Sequence, residues 1–131
     1  MASNPVTVTI PANCQGQITA ISNASYTQRV DIKLDDLSTT FTGTGENVSM
    51  TTTSKSDVFL FMPLSTERTC RLTFMFDAGK GWQKAFVNNP IKTSKGPFTT
   101  YSIKSEDAND NDNNDTDVNI VCFSTSAFGT T

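Results

Sequence analysis

The chain has 131 residues, 36% of them apolar, and a net charge of -3. That length suits one domain, residues 1–131, with a core that needs no metal or disulfide to form. No apolar run reaches the roughly 20 residues of a membrane span, and no basic region followed by an apolar stretch marks a signal peptide at MASNPVTVTI.

In chain order, Val6, Val8 and Ile10 alternate with Thr7 and Thr9, the period of a half-buried strand. Pro11 and Asn13 end it. Gln17 to Ser22 predicts a second strand and Asn23-Ala24-Ser25 a turn. Val30, Ile32 and Leu34 alternate with Asp31 and Lys33 in a third strand. Thr39 to Thr42 predicts a short fourth, closed by Gly43 and Gly45. Thr51 to Lys55 reads as a loop, and Val58 to Met62 as an apolar run stopped by Pro63. Cys70, Leu72, Phe74 and Phe76 alternate with polar or flexible neighbours in the clearest strand of all. Asp77 to Gly81 predicts a hairpin loop into Trp82 to Val87. Asn88 to Gly96 reads as a loop. Pro97 to Ile103 and Val118 to Cys122 predict the last two strands. About nine short strands with no helical period point to an all-β fold, an antiparallel β-sandwich or barrel.

The charge is unevenly placed. Glu106, Asp107, Asp110, Asp112, Asp115 and Asp117 crowd one loop, and without them ten basic residues face seven acidic ones. Such a loop repels nucleic acid and suits a hard cation. Six like charges between two apolar strands favour disorder unless counterions hold the ends together. Ca²⁺ takes 6 to 8 oxygen ligands in irregular geometry, and Asp and Asn supply them. Without His or clustered Cys, transition metals fit poorly. A solvated acidic loop is the plain alternative. An EF-hand is rejected: Asp110, Asp112 and Asn114 match its first spacing, but Asp115 stands where Gly is needed and Val121 where Glu is needed.

Ser105-Glu106-Asp107, then Asp110-x-Asp112-x-Asn114-Asp115 and a strand, resembles the calcium loop of bacterial fucose/mannose-binding lectins of the Pseudomonas aeruginosa type. Thr9 to Asn13, Ile18 to Ala20, Asn23, Thr27-Gln28 and Val30 resemble that family's first strands and sugar loop. The resemblance implies a nine-stranded sandwich with two adjacent Ca²⁺ ions that hold a mannose- or fucose-type monosaccharide by its ring hydroxyls. It makes Asn23, Glu106, Asp110, Asp112, Asn114 and Asp115 metal ligands. It places Ala24, Ser25, Tyr26, Asp107, Asp110 and Asp115 at the sugar, with Asp107 accepting a hydroxyl hydrogen bond. Glu106, Asp110, Asp112 and Asp115 together carry the charge that two Ca²⁺ ions neutralise. It also implies a homodimer or homotetramer.

Three features depart from the family pattern: the residues after Asn23, the C-terminus and the cysteines. Tyr26 is large where family members are small, so it stacks on a sugar, blocks the pocket or points outward. Ala24 lacks the side-chain hydrogen bond associated with fucose, which favours mannose-type sugars slightly. The family ends in a Gly whose carboxylate enters the partner's metal site, whereas this chain runs on to Thr131. Cys14, Cys70 and Cys122 match no zinc spacing and are expected to be buried and reduced, with a Cys70–Cys122 bridge as the other possibility.

No enzyme is expected, because without His no Ser-His or Cys-His pair can form, and the close carboxylates look like ligands rather than a glycosidase pair. The rival to a lectin is a calcium-stabilised structural or assembly sandwich that has lost sugar binding. Trp82 is expected to pack on its hairpin. Asn23-Ala24-Ser25, Asn47-Val48-Ser49 and Asn114-Asp115-Thr116 match the glycosylation pattern by chance. Synthesis in the cytoplasm is expected, with release or surface association left open, and no membrane insertion.

Overall fold

The computed structural model describes residues 2–106 and 115–125. Ten strands form it: β1 (Val6–Ile10), β2 (Cys14–Leu34), β3 (Leu37–Ser49), β4 (Phe59–Phe61), β5 (Arg68–Asp77), β6 (Trp82–Lys84), β7 (Phe86–Val87), β8 (Ile91–Lys95), β9 (Phe98–Glu106) and β10 (Thr116–Ser124). Every pairing is antiparallel, and the sheet closes nearly on itself so that two layers share one core.

β2 organises this closure. Its first half, Cys14 to Ser22, pairs with β10, and β4 lines its other edge from Gly16 to Ile18. Its second half, Thr27 to Leu34, pairs with β5 on one edge and with β3 on the other from Gln28. Between the halves the register against β3 breaks twice, at Ser22/Ala24 and at Ala24/Gln28. A break of this kind bends a strand and changes its neighbours. β2 thereby crosses from one layer to the other. β1 pairs with β5, β9 with β10, and β7 and β8 with the far edge of β9.

Alternation explains the core. On β2, Ile18, Ala20, Val30, Ile32 and Leu34 point inward, and on β5 Cys70, Leu72 and Phe74 do the same. Phe41, Met50, Ile103, Val118 and Ile120 close it from the other strands. Each large side chain so buried contributes about 1.5–3 kcal/mol against leaving it in water. Gly16 has a packing reason: a Cβ there would lie 2.3 Å from the Val121 carbonyl oxygen.

Several expectations change. Asn23-Ala24-Ser25 is not a turn but the irregular centre of the long β2. The fourth strand runs from Leu37 to Ser49, through Gly43 and Gly45. Trp82 to Val87 splits at Ala85, so β6 joins β5 and β7 joins β9. The Asn4 side chain occupies that split, donating from Nδ2 to the carbonyls of Phe74 (2.8 Å) and Ala85 (2.9 Å). Ile91 to Lys95, expected as loop, is edge strand β8. All five of its residues are exposed, so it carries no burial alternation to read. The three cysteines are free and buried. Burial pushes the Cys70 thiol up to about 12 and the Cys122 thiol to about 11.

Candidate functional site

The end of β9, the start of β10, the break in β2 and the middle of β3 meet at one edge of the fold. The Asp115 amide donates to the Ser105 carbonyl at 2.8 Å, and the Asn23 amide donates to the Asp115 carbonyl at 2.8 Å. Both ends of the acidic segment are thus stitched together and to β2. The Asn47 amide donates to Asn23 Oδ1 at 2.7 Å, which orients that side chain from β3. Asn47 has φ of 54°, and Gly45 has φ of +115°, opposite Ala24. A left-handed backbone at both positions turns β3 toward the β2 break.

Below this edge lies a buried polar layer that sequence reasoning missed. Ser22, Gln28 and Ser105 are fully buried, and Thr116 nearly so. Thr116 Oγ1 donates to Gln28 Oε1 at 2.9 Å, Gln28 Nε2 donates to the Tyr26 carbonyl at 3.2 Å, and Ser22 Oγ donates to the Gly45 carbonyl at 3.2 Å. These contacts tie the irregular stretch of β2 to β10 and β3. The signal was available: Ser22 and Gln28 fall on the inward-facing period of β2, where its other members are apolar or small.

Of the expected metal ligands, Asn23, Glu106 and Asp115 are described, and the fold brings all three to this edge. Glu106 is 6% exposed and Asp115 3%. Asp110, Asp112 and Asn114, and Asp107 of the sugar set, lie outside the described residues. Among the described residues no group of three His, Cys, Asp or Glu side chains is close enough to hold a metal. The donor chemistry nevertheless fits a cation. Glu106 Oε1 is buried with no hydrogen-bond partner among the described residues, as is Ser105 Oγ. A buried carboxylate oxygen left without a partner is costly and calls for a positive charge. Asp117 Oδ1 is also buried without such a partner, and its carboxyl pKa is raised by burial, opposed by the Lys104 charge.

The three residues after Asn23 differ from one another. Ala24 is buried and Ser25 exposed. Tyr26 is 42% exposed and stacks on Phe76 of β5, with ring centroids 6.1 Å apart and planes at 22°. Trp82 is half-exposed on β6, where the Arg29 guanidinium sits 5.5 Å from its ring centroid.

A family model described as fucose-binding lectin II (PA-IIL) matches residues 8–124. The chain belongs to the fucose-binding lectin II family. The match spans both ends of the fold and the whole edge just described. Three solved structures share the architecture. The Chromobacterium violaceum lectin CV2L, solved in complex with alpha-methyl-fucoside, superposes with a TM-score of 0.71 at 19% identity, covering 91% of this chain and 96% of its own. A Ralstonia solanacearum high-affinity mannose-binding lectin gives 0.64 at 22%, covering 88% and 93%. The C-terminal domain of the BC2L-C lectin from Burkholderia cenocepacia gives 0.58 at 21%, covering 92% and 97%. A search among curated proteins returns no match. As a member of the lectin II family the chain is a carbohydrate-binding protein.

Proposed function

We propose that this lectin is calcium-dependent and holds a mannose- or fucose-type monosaccharide through two Ca²⁺ ions. The supporting observation is the Glu106 carboxylate, buried with an oxygen that has no partner among the described residues, beside the stitched ends of an acidic loop. Glu106 and Asp115 would hold the ions from the strand ends, Asn23 from the β2 break, and Asp110, Asp112 and Asn114 from the loop. When bound, the ions supply coordination positions that vicinal sugar hydroxyls fill in place of water. The protein's own part is to fix the site before sugar arrives. Asn47 holds Asn23 Oδ1, and the Thr116–Gln28 contact holds the β2 backbone at Tyr26. Pre-positioned ligands spare the ordering cost that weakens sugar binding. Asp107 would accept a hydrogen bond from the sugar, and assembly into dimers or tetramers would multiply weak single-site contacts. No catalytic role is assigned to these carboxylates.

Ala24 faces the choice between sugars without a hydrogen-bonding side chain, which favours mannose-type ligands slightly. A second reading, a structural sandwich that has lost sugar binding, draws support from the burial of Ala24 and the seating of Tyr26 on Phe76. Calorimetric titration with methyl mannoside and methyl fucoside separates them. Heat seen with calcium and abolished by chelator supports the lectin. Calcium that raises the melting temperature while neither sugar gives heat supports the structural protein.

A further inference from the structure

The second half of β2 presents an outer surface unlike the acidic edge. Odd-numbered residues of this half point outward, and the register aligns them with outward residues of β3 and β5. One row runs Ser38, Lys33, Arg71 and, on β1, Thr7. The next runs Thr40, Asp31, Thr73, and a third runs Thr42, Arg29, Met75, Lys84. These three rows hold four cations and one acid, and the last row, Thr27, Asp77 and Trp82, adds a second acid whose Oδ1 accepts from the Gly79 and Gly81 amides. Arg29, Lys33, Arg71, Ser38, Thr40 and Thr73 line a depression of about 430 Å³ in it.

Asp31, the acid nearest the depression, is already engaged. Asp31 Oδ1 accepts from Arg29 Nε at 2.9 Å and from Thr40 Oγ1 at 2.8 Å. Lys33 and Arg71 have no ion-pair partner among the described residues. They stand directly opposite each other on neighbouring strands, with Cα atoms about 4.5–5.5 Å apart by the geometry of such a pair. Like charges in that position are destabilising. The fold therefore keeps two exposed cations, without an ion-pair partner among the described residues, side by side in the lining of a depression that also carries hydroxyls, and an incoming anion would relieve their repulsion.

We infer that the Lys33–Arg71 depression is a second binding site, for the sulfate or carboxylate group of an acidic saccharide. Lys33 and Arg71 supply charge-assisted hydrogen bonds to the anionic group, Arg71 in a planar fork. Ser38 and Thr73 can both donate to and accept from neighbouring sugar hydroxyls, and Thr40, whose proton goes to Asp31, can accept. A nucleic acid fits less well. Its strand would need a longer track of cations and open aromatic platforms, and the nearby Trp82 ring is taken by Arg29. The site lies along β2 from Asn23, uses no residue of the acidic edge, and stands apart from the calcium reading.

The test is binding of a heparin-derived hexasaccharide to the full chain in chelator, with short duplex DNA and inorganic sulfate as competitors. Binding should persist without calcium and fall with added salt. Lys33→Gln and Arg71→Gln should each weaken it about tenfold, the worth of one lost charge-assisted contact. Both substitutions lie on an exposed face, so an unchanged melting temperature and unchanged calcium-dependent monosaccharide binding would show that fold and acidic edge are intact. Unaltered affinity in the variants, a requirement for calcium, or displacement as effective by DNA of matched charge would overturn the site. Failure of monosaccharide binding by the same chain loaded with calcium would strike only the calcium reading.

Discussion

β2 is one strand with two characters. From Arg29 to Leu34 its ladder to β5 is unbroken, and its inward residues, Val30, Ile32 and Leu34, are apolar. From Ser22 to Gln28 the register breaks, polar side chains point inward, and the Asn23 amide ties the strand to Asp115 at the end of the acidic segment. The regular half stores stability. The irregular half exposes backbone and side-chain oxygens at a fixed place, which a cation-and-sugar site needs and a uniform ladder would consume in its own hydrogen bonds.

Substitutions should affect the two halves differently. Phe74→Ala empties a fully buried site beneath the regular ladder and should cost about 3–5 kcal/mol in chemical denaturation, with or without calcium. A loss that calcium repairs would mean that the two halves are not separable.

The thiols near the regular ladder give a second large effect. Cys70 and Cys122 are buried, and Cys122 Sγ lies 3.2 Å from the Thr99 carbonyl. Their folded values, about 12 and about 11, exceed the ordinary 9.0. The unfolded chain therefore loses these protons first as pH rises, and stability should fall between about pH 9 and 12 while remaining flat below that window on their account. Replacing both thiols by Ala should flatten the fall, as read by melting temperature against pH. A thiol reagent at neutral pH should leave both intact until the protein unfolds.

Smaller effects belong to the irregular half. Thr116→Val removes the donor to Gln28 Oε1 in a buried layer and should cost about 1–3 kcal/mol. It should also weaken calcium binding, because the β2 break loses its anchor on β10. Equal calcium affinity in this variant would show that the buried layer supports the fold alone. Tyr26→Ala removes the stack on Phe76 and should cost about 0.5–1.5 kcal/mol. Improved monosaccharide affinity in that variant would identify Tyr26 as an obstruction, and reduced affinity as a contact.

The regular parts of the molecule were legible because alternation maps directly onto burial. Val6, Val8 and Ile10, Cys70 to Phe76, and Val118 to Cys122 all face as their period requires. β8 was not legible, since an exposed edge strand leaves its pairing with β9 to the backbone. Asn23-Ala24-Ser25 has the composition of a turn, and composition cannot distinguish a turn from a bulge that a neighbouring strand holds in the sheet. The acidic residues were visible as a cluster, but the partnership of Asn23 with Asn47 and Asp115 is long-range and only the fold reveals it. The same holds for the Lys33–Arg71 pair, whose members belong to different strands.

Calcium stoichiometry tests the central claim most directly. The chelator-stripped chain, titrated with Ca²⁺ and weighed by native mass spectrometry, should take up two ions, while Glu106→Gln should fold normally and fail to fill both positions. A chain that takes up no calcium, or a Glu106→Gln variant that binds it as the parent does, would contradict the account.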